Sequence, residues 1–411
     1  MRIASFQQEG GVCYAQWVLI PLEFCVPYTY SQSRIAMARF LEQVFSWLGQ
    51  LTSTLRPGYP IEQNIRSILI VEPFQLGDVV SLSVMFDPLR QSFPDAHIDI
   101  FTQPKSKEIF SYDPRVAAVY TCAVPWAKYR KKRGTFDEWR QFIKALRTLR
   151  KQNYDVGIDP RGDVRSQIVM LLAGCRRRIG PLNYLGSNMI IRGSLLTDSV
   201  GVLPAMHRYE INRAVLRPLV GPQTFPMTFP SFQSDTIPAK FVSRAGKQIL
   251  VHVGGGWIYK RWKTERWVEL INRVGHLNGR HIVLVGSSDE EEVVGEIAKK
   301  LDVPHVVCIT TLRELIGLMK GADMFIGLDS GPMNLAVTLG IPSVVLFGPG
   351  DSELWFPLGP RDVFFHVRDG YPCNPCFQRT CIFSERSCMT GIEVGEVAQA
   401  IERLCGTASQ Q

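Results

Sequence analysis

Short, mostly apolar runs alternate with helical patterns along residues 66–402. Each run of four or five apolar residues predicts a strand covered on both faces, because such a strand has no polar side. In the first half these runs occupy residues 67–71, 97–102, 117–122 and 155–159. In the second half they occupy residues 248–252, 281–285, 306–309, 324–328 and 343–347. This strand–helix alternation predicts parallel sheets with helices on both faces.

The helical patterns and the prolines divide the chain into units. Helices are predicted at residues 80–91, 106–112 and 135–151. A Pro-rich segment, 218–238, interrupts the alternation and indicates a linker. We therefore predict an α/β fold of GT-B type, in which two Rossmann-like domains face a central cleft. The expected units are an N-terminal extension (1–65), a first domain (66–220), a linker (221–240) and a second domain (241–402).

The extension contains one recognisable element. Residues 35–55 carry apolar side chains at helical spacing, which predicts an amphipathic helix. Such a helix packs on the protein body or lies on a membrane face. No stretch of the chain reaches the roughly 18–20 uninterrupted apolar residues of a membrane span. The apolar segment 12–28 contains glutamate, glutamine and proline and lacks a basic start, so we expect no signal peptide and a cytoplasmic protein.

Positive charge is concentrated in one segment. The chain of 411 residues has a net charge of +8. Residues 128–151 contain ten Lys or Arg against Asp137 and Glu138. A solvated helix face with a basic loop is one interpretation, and a surface for phosphorylated lipid is another. Nucleic acid fits less well, because no nucleic-acid-binding motif accompanies the run.

The stretch 322–351, ADMFIGLDSGPMNLAVTLGIPSVVLFGPGD, predicts a phosphate site. It reads as a buried strand ending at Asp329, a sharp entry into a helix at Pro332, and a helix end at Gly340. A helix that starts at the carboxyl end of a parallel strand offers unpaired N–H groups and a positive dipole end. An ordinary βαβ unit without a ligand would show the same pattern.

The same stretch resembles the donor-site signature of glycosyltransferase family 9, the ADP-heptose:lipopolysaccharide heptosyltransferases. That signature reads D-[ST]-G-x-x-H-x-A, followed by a G-P-[TG]-[DS] loop. The resemblance implies donor binding by Asp329, Ser330, Gly331, Pro332, Met333 and Asn334. Asn334 departs from the pattern, since it offers a neutral amide where the family has a histidine that can carry charge.

Three further segments resemble the family. The Gly77-Asp78 turn implies that Asp78 is the general base, although an aspartate at a helix start is commonly only a cap. Residues 252–262 resemble the family's strand, small-residue turn and K-x-W. This implies diphosphate binding by Gly254, Gly255 and Gly256, and a catalytic role for Lys260, whose positive charge stabilises the leaving group as the glycosidic bond breaks. Trp262 of that segment is expected to pack rather than bind. Residues 159–165 imply acceptor binding by Arg161 and Arg165, with surface salt bridges as the alternative.

Four cysteines near the end of the chain, Cys373, Cys376, Cys381 and Cys388, form a separate cluster. In a reducing compartment their spacing favours a structural metal, zinc or iron, over unligated packing cysteines or disulfides. Many family members carry a similar C-x-P-C segment. A catalytic metal is not expected, because the chain has no D-x-D motif.

The resemblance implies an inverting transferase that moves a heptose, or a related sugar, from a nucleotide-sugar donor to an anionic lipopolysaccharide precursor. It implies a site at the cytoplasmic face of the inner membrane, with peripheral membrane association and no nucleic-acid partner. Two alternatives stay open. One is a protein heptosyltransferase with a cysteine-bound metal, and the other is a non-catalytic GT-B binding module.

Overall fold

Two parallel six-stranded sheets form the frame of the molecule. The computed structural model describes residues 2–9, 12–19, 65–125, 135–182, 195–202, 206–221, 248–366, 371, 373, 376, 381, 383 and 387–407. An antiparallel hairpin, β1 (Arg2–Glu9) and β2 (Val12–Leu19), precedes the sheets. The predicted helix at 35–55 and most of the predicted linker lie outside the described residues. No helix in the described ranges is long and apolar enough to cross a bilayer.

The first sheet has the strand order β5-β4-β3-β6-β7-β8. Its strands are β3 (Ser67–Val71), β4 (His97–Thr102), β5 (Ala118–Thr121), β6 (Val156–Ile158), β7 (Arg177–Leu182) and β8 (Asp198–Gly201). Its helices are α1 (Leu76–Val80), α2 (Ser83–Ser92), α3 (Phe136–Arg150), α4 (Val164–Leu172), α5 (Arg208–Val215) and α6 (Arg217–Val220), with a 3₁₀ turn at Pro104–Ile109.

The second sheet repeats this order as β11-β10-β9-β12-β13-β14. Its strands are β9 (Gln248–His252), β10 (His281–Gly286), β11 (His305–Ile309), β12 (Met324–Leu328), β13 (Ser343–Phe347) and β14 (Val363–His366). Its helices are α7 (Thr264–Val274), α8 (Glu291–Ala298), α9 (Leu312–Lys320), α10 (Gly331–Thr338), α11 (Ser352–Trp355) and α12 (Val394–Thr407). Shorter 3₁₀ turns lie at Ile258–Lys260, Leu277–Gly279, Ser288–Glu290 and Cys388–Gly391.

Each sheet reverses its strand order at a central pair, β3 with β6 and β9 with β12. In doubly wound sheets, ligands bind at the carboxyl ends of the strands beside such a reversal. The segments that follow these four strands begin at residues 72, 159, 253 and 329. The topology therefore places all three family-like segments and the phosphate-site segment at the two reversal points.

The predicted α/β fold with two Rossmann-like domains is confirmed, and its nine predicted strands are all present. Three details differ. The helix predicted at 80–91 corresponds to α2, which begins at Ser83, and a separate short helix, α1, precedes it and ends at Val80. The helix predicted at 106–112 is the 3₁₀ turn Pro104–Ile109. The hairpin strands β1 and β2 and the outer strands β7, β8 and β14 were not predicted; β7 and β8 lack a continuous apolar run, and that of β14 is short.

Candidate active site

Asp78 lies in the first turn of α1, where the chain leaves β3. Its carboxylate is 95% buried, and each oxygen has its own partner. Oδ2 accepts a hydrogen bond from the Gln75 backbone N–H at 3.1 Å, which is the capping contact expected for an aspartate at a helix start. Oδ1 accepts from Arg161 Nη1 at 2.6 Å. Asp78 therefore caps α1 and still has one oxygen directed to the neighbouring loop.

Arg161 follows β6 and reaches Asp78 across the reversal point. Its guanidinium carbon lies 4.5 Å from the centroid of the Phe74 ring, a cation–π distance. Arg165 lies 5.1 Å from the same ring centroid, but its ion pair, at 2.6 Å, is with Asp163. Of the two predicted acceptor-binding arginines, Arg161 therefore contacts Asp78 and Arg165 contacts its own helix cap.

A second arginine, Arg208 of α5, lies on the buried side of Asp78. Its Nη2 donates to Glu72 Oε2 at 2.8 Å, its Nη1 donates to the Pro160 carbonyl at 3.0 Å, and its Nε is 4.0 Å from Asp78 Oδ1. Burial, and then the negative charge of Asp78, raises the pKa of Glu72 to about 8 despite the opposing charge of Arg208. A buried carboxyl that exchanges its proton near neutral pH thus lies beside Asp78.

Asp159 is another buried carboxyl at this point. It accepts hydrogen bonds from the Arg161 backbone N–H at 3.0 Å and from Gln167 Nε2 at 3.3 Å. Burial, and then the charge of Asp163, raises its pKa to about 7. Sequence reasoning missed the participation of Asp159, Glu72 and Arg208. The sequence did carry a signal for Glu72 and Asp159, because each is a charged residue that directly follows a buried strand.

In the second domain, Lys260 lies beside the residue that follows β12. Its ammonium group donates to the Asp329 carboxylate and, at 3.2 Å, to the Asp329 backbone carbonyl. Asp329 directly follows β12 and is 93% buried. The side chain of Lys260 is about a quarter exposed. The structure therefore brings the predicted Lys260 to the start of α10, where its ammonium group is paired with the Asp329 carboxylate.

The start of α10 has an unused hydroxyl. Ser330 is the N-cap residue, yet its side chain caps no N–H group. Ser330 Oγ is buried and has no hydrogen-bond partner within the described part of the chain. Asn334 Nδ2 donates to the Ser330 backbone carbonyl at 3.1 Å. The first N–H groups of α10 and the Ser330 hydroxyl are thus suited to an anion that accepts hydrogen bonds.

The glycine turn after β9 lies against Glu290. A side chain on Gly254 would collide with the Glu290 carboxylate, whereas Gly256 has no atom within 4 Å of a built Cβ. Glu290 Oε2 lies 3.3 Å from His252 Nε2. Although burial opposes it, the hydrogen bond with His252 lowers the pKa of Glu290 to about 2. Sequence reasoning missed this ionised carboxylate, which ends the 3₁₀ turn Ser288–Glu290 after β10.

The two domains touch at the helix starts α1 and α10. A built Cβ on Gly77 would lie 2.8 Å from Asn334 Nδ2. A built Cβ on Gly331 would lie 2.6 Å from Leu76 Cδ2. Glycine at both positions therefore permits a close approach of the two helices. The residue next to Asp78 consequently lies against the predicted donor helix.

A second contact joins the domains at α5. His207 caps that helix, and its Nδ1 accepts from the Tyr209 backbone N–H at 3.3 Å. This leaves Nε2 to donate to the Phe356 backbone carbonyl, at 2.9 Å. Burial lowers the pKa of His207 to about 4. The neutral imidazole therefore links the two domains.

The cysteine cluster lies beside the loop that follows β13. The Cys376 backbone N–H donates to the Pro349 carbonyl at 2.9 Å. Burial and the neighbouring thiols raise the pKa of Cys373, and they raise that of Cys388 to about 11. Among the described residues, no three His, Cys, Asp or Glu side chains are arranged to hold a metal ion. The four thiols are neighbours, and their chemistry suits zinc or iron, so the metal site stays a prediction.

A cavity of about 390 Å³ lies away from these residues. It opens at the amino-terminal edge of the second sheet and is lined by side chains that include Arg280, Met324 and Arg361. Catalytic residues of doubly wound folds lie at the opposite, carboxyl edge. The cavity is therefore not part of the candidate active site.

Comparison with known proteins agrees with this geometry. The model of glycosyltransferase family 9 (heptosyltransferase) matches residues 139–386, more than half of the chain. Lipopolysaccharide heptosyltransferase 1 of Pseudomonas aeruginosa is 23% identical over 77% of this chain and 87% of its own length. The structure of E. coli heptosyltransferase WaaC with ADP has a TM-score of 0.66 at 19% identity, covering 82% of this chain and 99% of that one.

A second similar structure is the iron-containing dodecameric glycosyltransferase TibC of enterotoxigenic E. coli. It has a TM-score of 0.50 at 13% identity and covers 84% of this chain and 77% of TibC. At these identities, the solved structures bear on the fold alone. The family match covers the donor-site segment and the segment of Arg161 and Arg165. The chain therefore belongs to glycosyltransferase family 9 and is a glycosyltransferase.

Proposed function

We propose that this glycosyltransferase moves a heptose from an ADP-heptose-type donor to an anionic acceptor in the lipopolysaccharide core, with inversion at the transferred carbon. The contact between α1 and α10 is the observation that carries the proposal, because it brings Asp78 to the helix start suited to a diphosphate. The P. aeruginosa relative is named a lipopolysaccharide heptosyltransferase, and the WaaC structure contains ADP. Both names support the choice of donor and acceptor class.

Asp78 acts as the general base. Its carboxylate accepts the proton of the acceptor hydroxyl while that oxygen forms a bond to the anomeric carbon of the sugar. The bond from this carbon to the diphosphate oxygen breaks in the same displacement, and its electron pair leaves with ADP. Arg161 pairs with Asp78 Oδ1, so acceptor binding must make Arg161 share or release that oxygen.

Lys260 and the start of α10 stabilise the negative charge that develops on the leaving diphosphate. The Lys260 ammonium group, the backbone N–H groups of Gly331 and Met333 and the Ser330 hydroxyl stabilise the leaving diphosphate. Asp329 holds Lys260 at this point. The glycine turn 254–256 leaves room for the diphosphate to approach the backbone. Pro332, which has no N–H group, and Asn334 complete the same helix turn on the donor side.

Arg161 and Arg165 orient the acceptor. Both guanidinium groups lie over the Phe74 ring, next to the base. Guanidinium binds carboxylate and phosphate through two parallel hydrogen bonds. An anionic core sugar is therefore the acceptor chemistry that these residues fit. The acceptor is carried on lipid, which places the enzyme at the inner face of the cytoplasmic membrane.

The cysteine cluster holds a structural zinc or iron ion in this proposal, and catalysis needs no metal. Cys373, Cys376, Cys381 and Cys388 would be the ligands, and the ion would brace the Gly348–Gly350 loop through the Cys376–Pro349 hydrogen bond. The similarity in fold to iron-containing TibC supports iron as a candidate. Heptose transfer to a protein acceptor is the second candidate function. The cysteine cluster favours it, because the family resemblance includes protein heptosyltransferases with a cysteine-bound metal.

The deciding experiment measures ADP release from ADP-heptose by the purified protein. Heptose-deficient lipopolysaccharide and a protein acceptor are compared, and other nucleotide sugars replace the donor in parallel. We expect acceptor-dependent release with lipopolysaccharide. Asp78→Asn should lower kcat by about 10² or more. Asp198→Asn removes a carboxylate paired with Arg177 at 2.7 Å on the outer strand β8, and it should change kcat by less than about twofold.

The outcomes separate the alternatives. Release that requires the protein acceptor would replace lipopolysaccharide by protein as the substrate. An Asp78→Asn variant as active as Asp198→Asn would reduce Asp78 to a helix cap. Release with another nucleotide sugar but not with ADP-heptose would change the assigned donor.

A further inference from the structure

Helix α3 carries an exposed apolar stripe. Phe136 is 83% exposed, Trp139 45% and Ile143 46%. Their spacing of three and four residues places them on one side of the helix. A different side, with Phe142 and Leu149, packs into the core. The exposed stripe borders the face that holds α3 in the fold, since the Trp139 ring lies 6.1 Å from the Phe142 ring, centroid to centroid.

Cations follow this stripe towards the end of α3, whereas its first turn also carries Asp137 and Glu138. Arg140, Lys144, Arg147, Arg150 and Lys151 are all exposed. Arg150 Nη1 donates to the Leu172 carbonyl at 3.1 Å, so Leu172, which is 45% exposed, lies near the carboxyl end of α3. We call this set the α3 surface: Phe136, Trp139, Ile143 and Leu172, with Arg140, Lys144, Arg147, Arg150 and Lys151.

The α3 surface lies on the domain that contains the base. Only residues 151–155 separate the end of α3 from β6, so the helix runs antiparallel to that strand. Its first turn, with Phe136 and Trp139, therefore lies towards the carboxyl edge of the sheet, where Asp78 and Arg161 lie. A partner bound to this turn would be close to the acceptor side of the cleft.

We infer that the α3 surface docks on an anionic lipid bilayer, with the apolar stripe among the headgroups and the cations on the lipid phosphates. A helix with cations beside large apolar side chains has the composition of an interfacial helix. A nucleic acid would pair with the cations, but it gains nothing from the aliphatic Ile143 and Leu172. The inference rests on the proposed function for one point, the lipid-bound acceptor.

Vesicle flotation tests this inference without any transferase reaction. The full-length protein is mixed with phosphatidylcholine vesicles with and without phosphatidylglycerol, at low and high salt. We expect binding only to the anionic vesicles, and weaker binding at high salt. Phe136→Ser with Trp139→Ser should weaken binding by about tenfold or more. Arg140→Glu with Arg147→Glu should weaken it similarly and remove most of its salt dependence.

Matched controls lie on the second domain. Val306→Ser with Val307→Ser removes two side chains that are each 42% exposed, and Lys299→Glu with Arg361→Glu makes an equal change of charge at exposed positions. Both controls should bind anionic vesicles as the wild type does. Activity on detergent-dispersed acceptor should be equal in all variants, which separates docking from catalysis.

Three results would overturn the inference. The first is wild-type protein that does not bind anionic vesicles. The second is an equal loss of binding in the α3 variants and in the controls. The third is single-stranded RNA that binds through α3 while the vesicles do not. An inactive wild type that still binds vesicles through α3 would instead refute the proposed acceptor and leave the docking surface in place.

Discussion

A single methyl group at Gly331 should oppose the approach of the two domains. A Cβ there would lie 2.6 Å from Leu76 Cδ2, 2.7 Å from Cβ and 2.9 Å from Cγ. Comfortable carbon contacts are about 3.5–4.0 Å, and because one clash is with Cβ, a new Leu76 rotamer cannot remove it. Overpacking of this kind costs about 1–3 kcal/mol. The cost falls on the contact between α1 and α10, since the two residues belong to different domains.

We expect Gly331→Ala to lower kcat/KM for the donor by about 5- to 150-fold, the equivalent of that energy. Alanine before Pro332 also disfavours the helical conformation locally, and a methyl group near the diphosphate could hinder binding directly. Neither effect depends on Leu76. A double-mutant cycle with Leu76→Gly, which removes all three clashing atoms, therefore isolates the inter-domain part. We expect the double variant to regain most of the lost activity.

The assay is steady-state ADP release, with thermal unfolding measured in parallel. Gly295→Ala in α8 is the matched control, because a Cβ there meets no atom within 4 Å. It should raise stability by up to about 1 kcal/mol and leave kinetics unchanged. A coupling energy below about 0.5 kcal/mol between Gly331→Ala and Leu76→Gly would refute the reasoning. The α1–α10 contact would then have no part in the reacting state.

Three further predictions follow from the site. Asn334→His should strengthen ADP binding by about 1–2 kcal/mol, and this gain should grow as pH falls through about 6.5. Calorimetry that finds equal ADP affinity for both forms at every pH would contradict the prediction. Cys376→Ser with Cys381→Ser should remove one metal ion per chain, measured by elemental analysis of reduced, chelator-washed protein, and lower Tm, whereas a metal-free and fully stable wild type would refute the site. Burial lowers the pKa of His207 from 6.5 to about 4, so its contribution to stability is complete above about 6.5 and is lost as pH falls towards 4. The Tm difference between wild type and His207→Asn should shrink across that window, and a constant difference would count against it.

Local sequence was sufficient to predict the architecture. A buried strand needs a continuous apolar run, and the run at 67–71 or 324–328 shows this without knowledge of any partner. The start of α10 was also readable, because Pro332 and Gly340 mark helix ends through their own backbone geometry. The family signature around Asp329 was readable for the same reason, because its residues are neighbours in the chain. The outer strands β7 and β8 escaped prediction, since their polar positions resemble those of loops, and β14 escaped because its apolar run is short.

The partners of the candidate base were decided only by tertiary structure. Arg208 lies 136 positions from Glu72 in the chain, and Arg161 lies 83 positions from Asp78. No periodicity records such pairs, because an ion pair depends on where two loops meet in space. The pKa values of Glu72 and Asp159 likewise depend on burial, which neighbouring elements supply. The sequence by itself determined which segments fold and which residues could act, and the packing of the two sheets decided which of those residues meet.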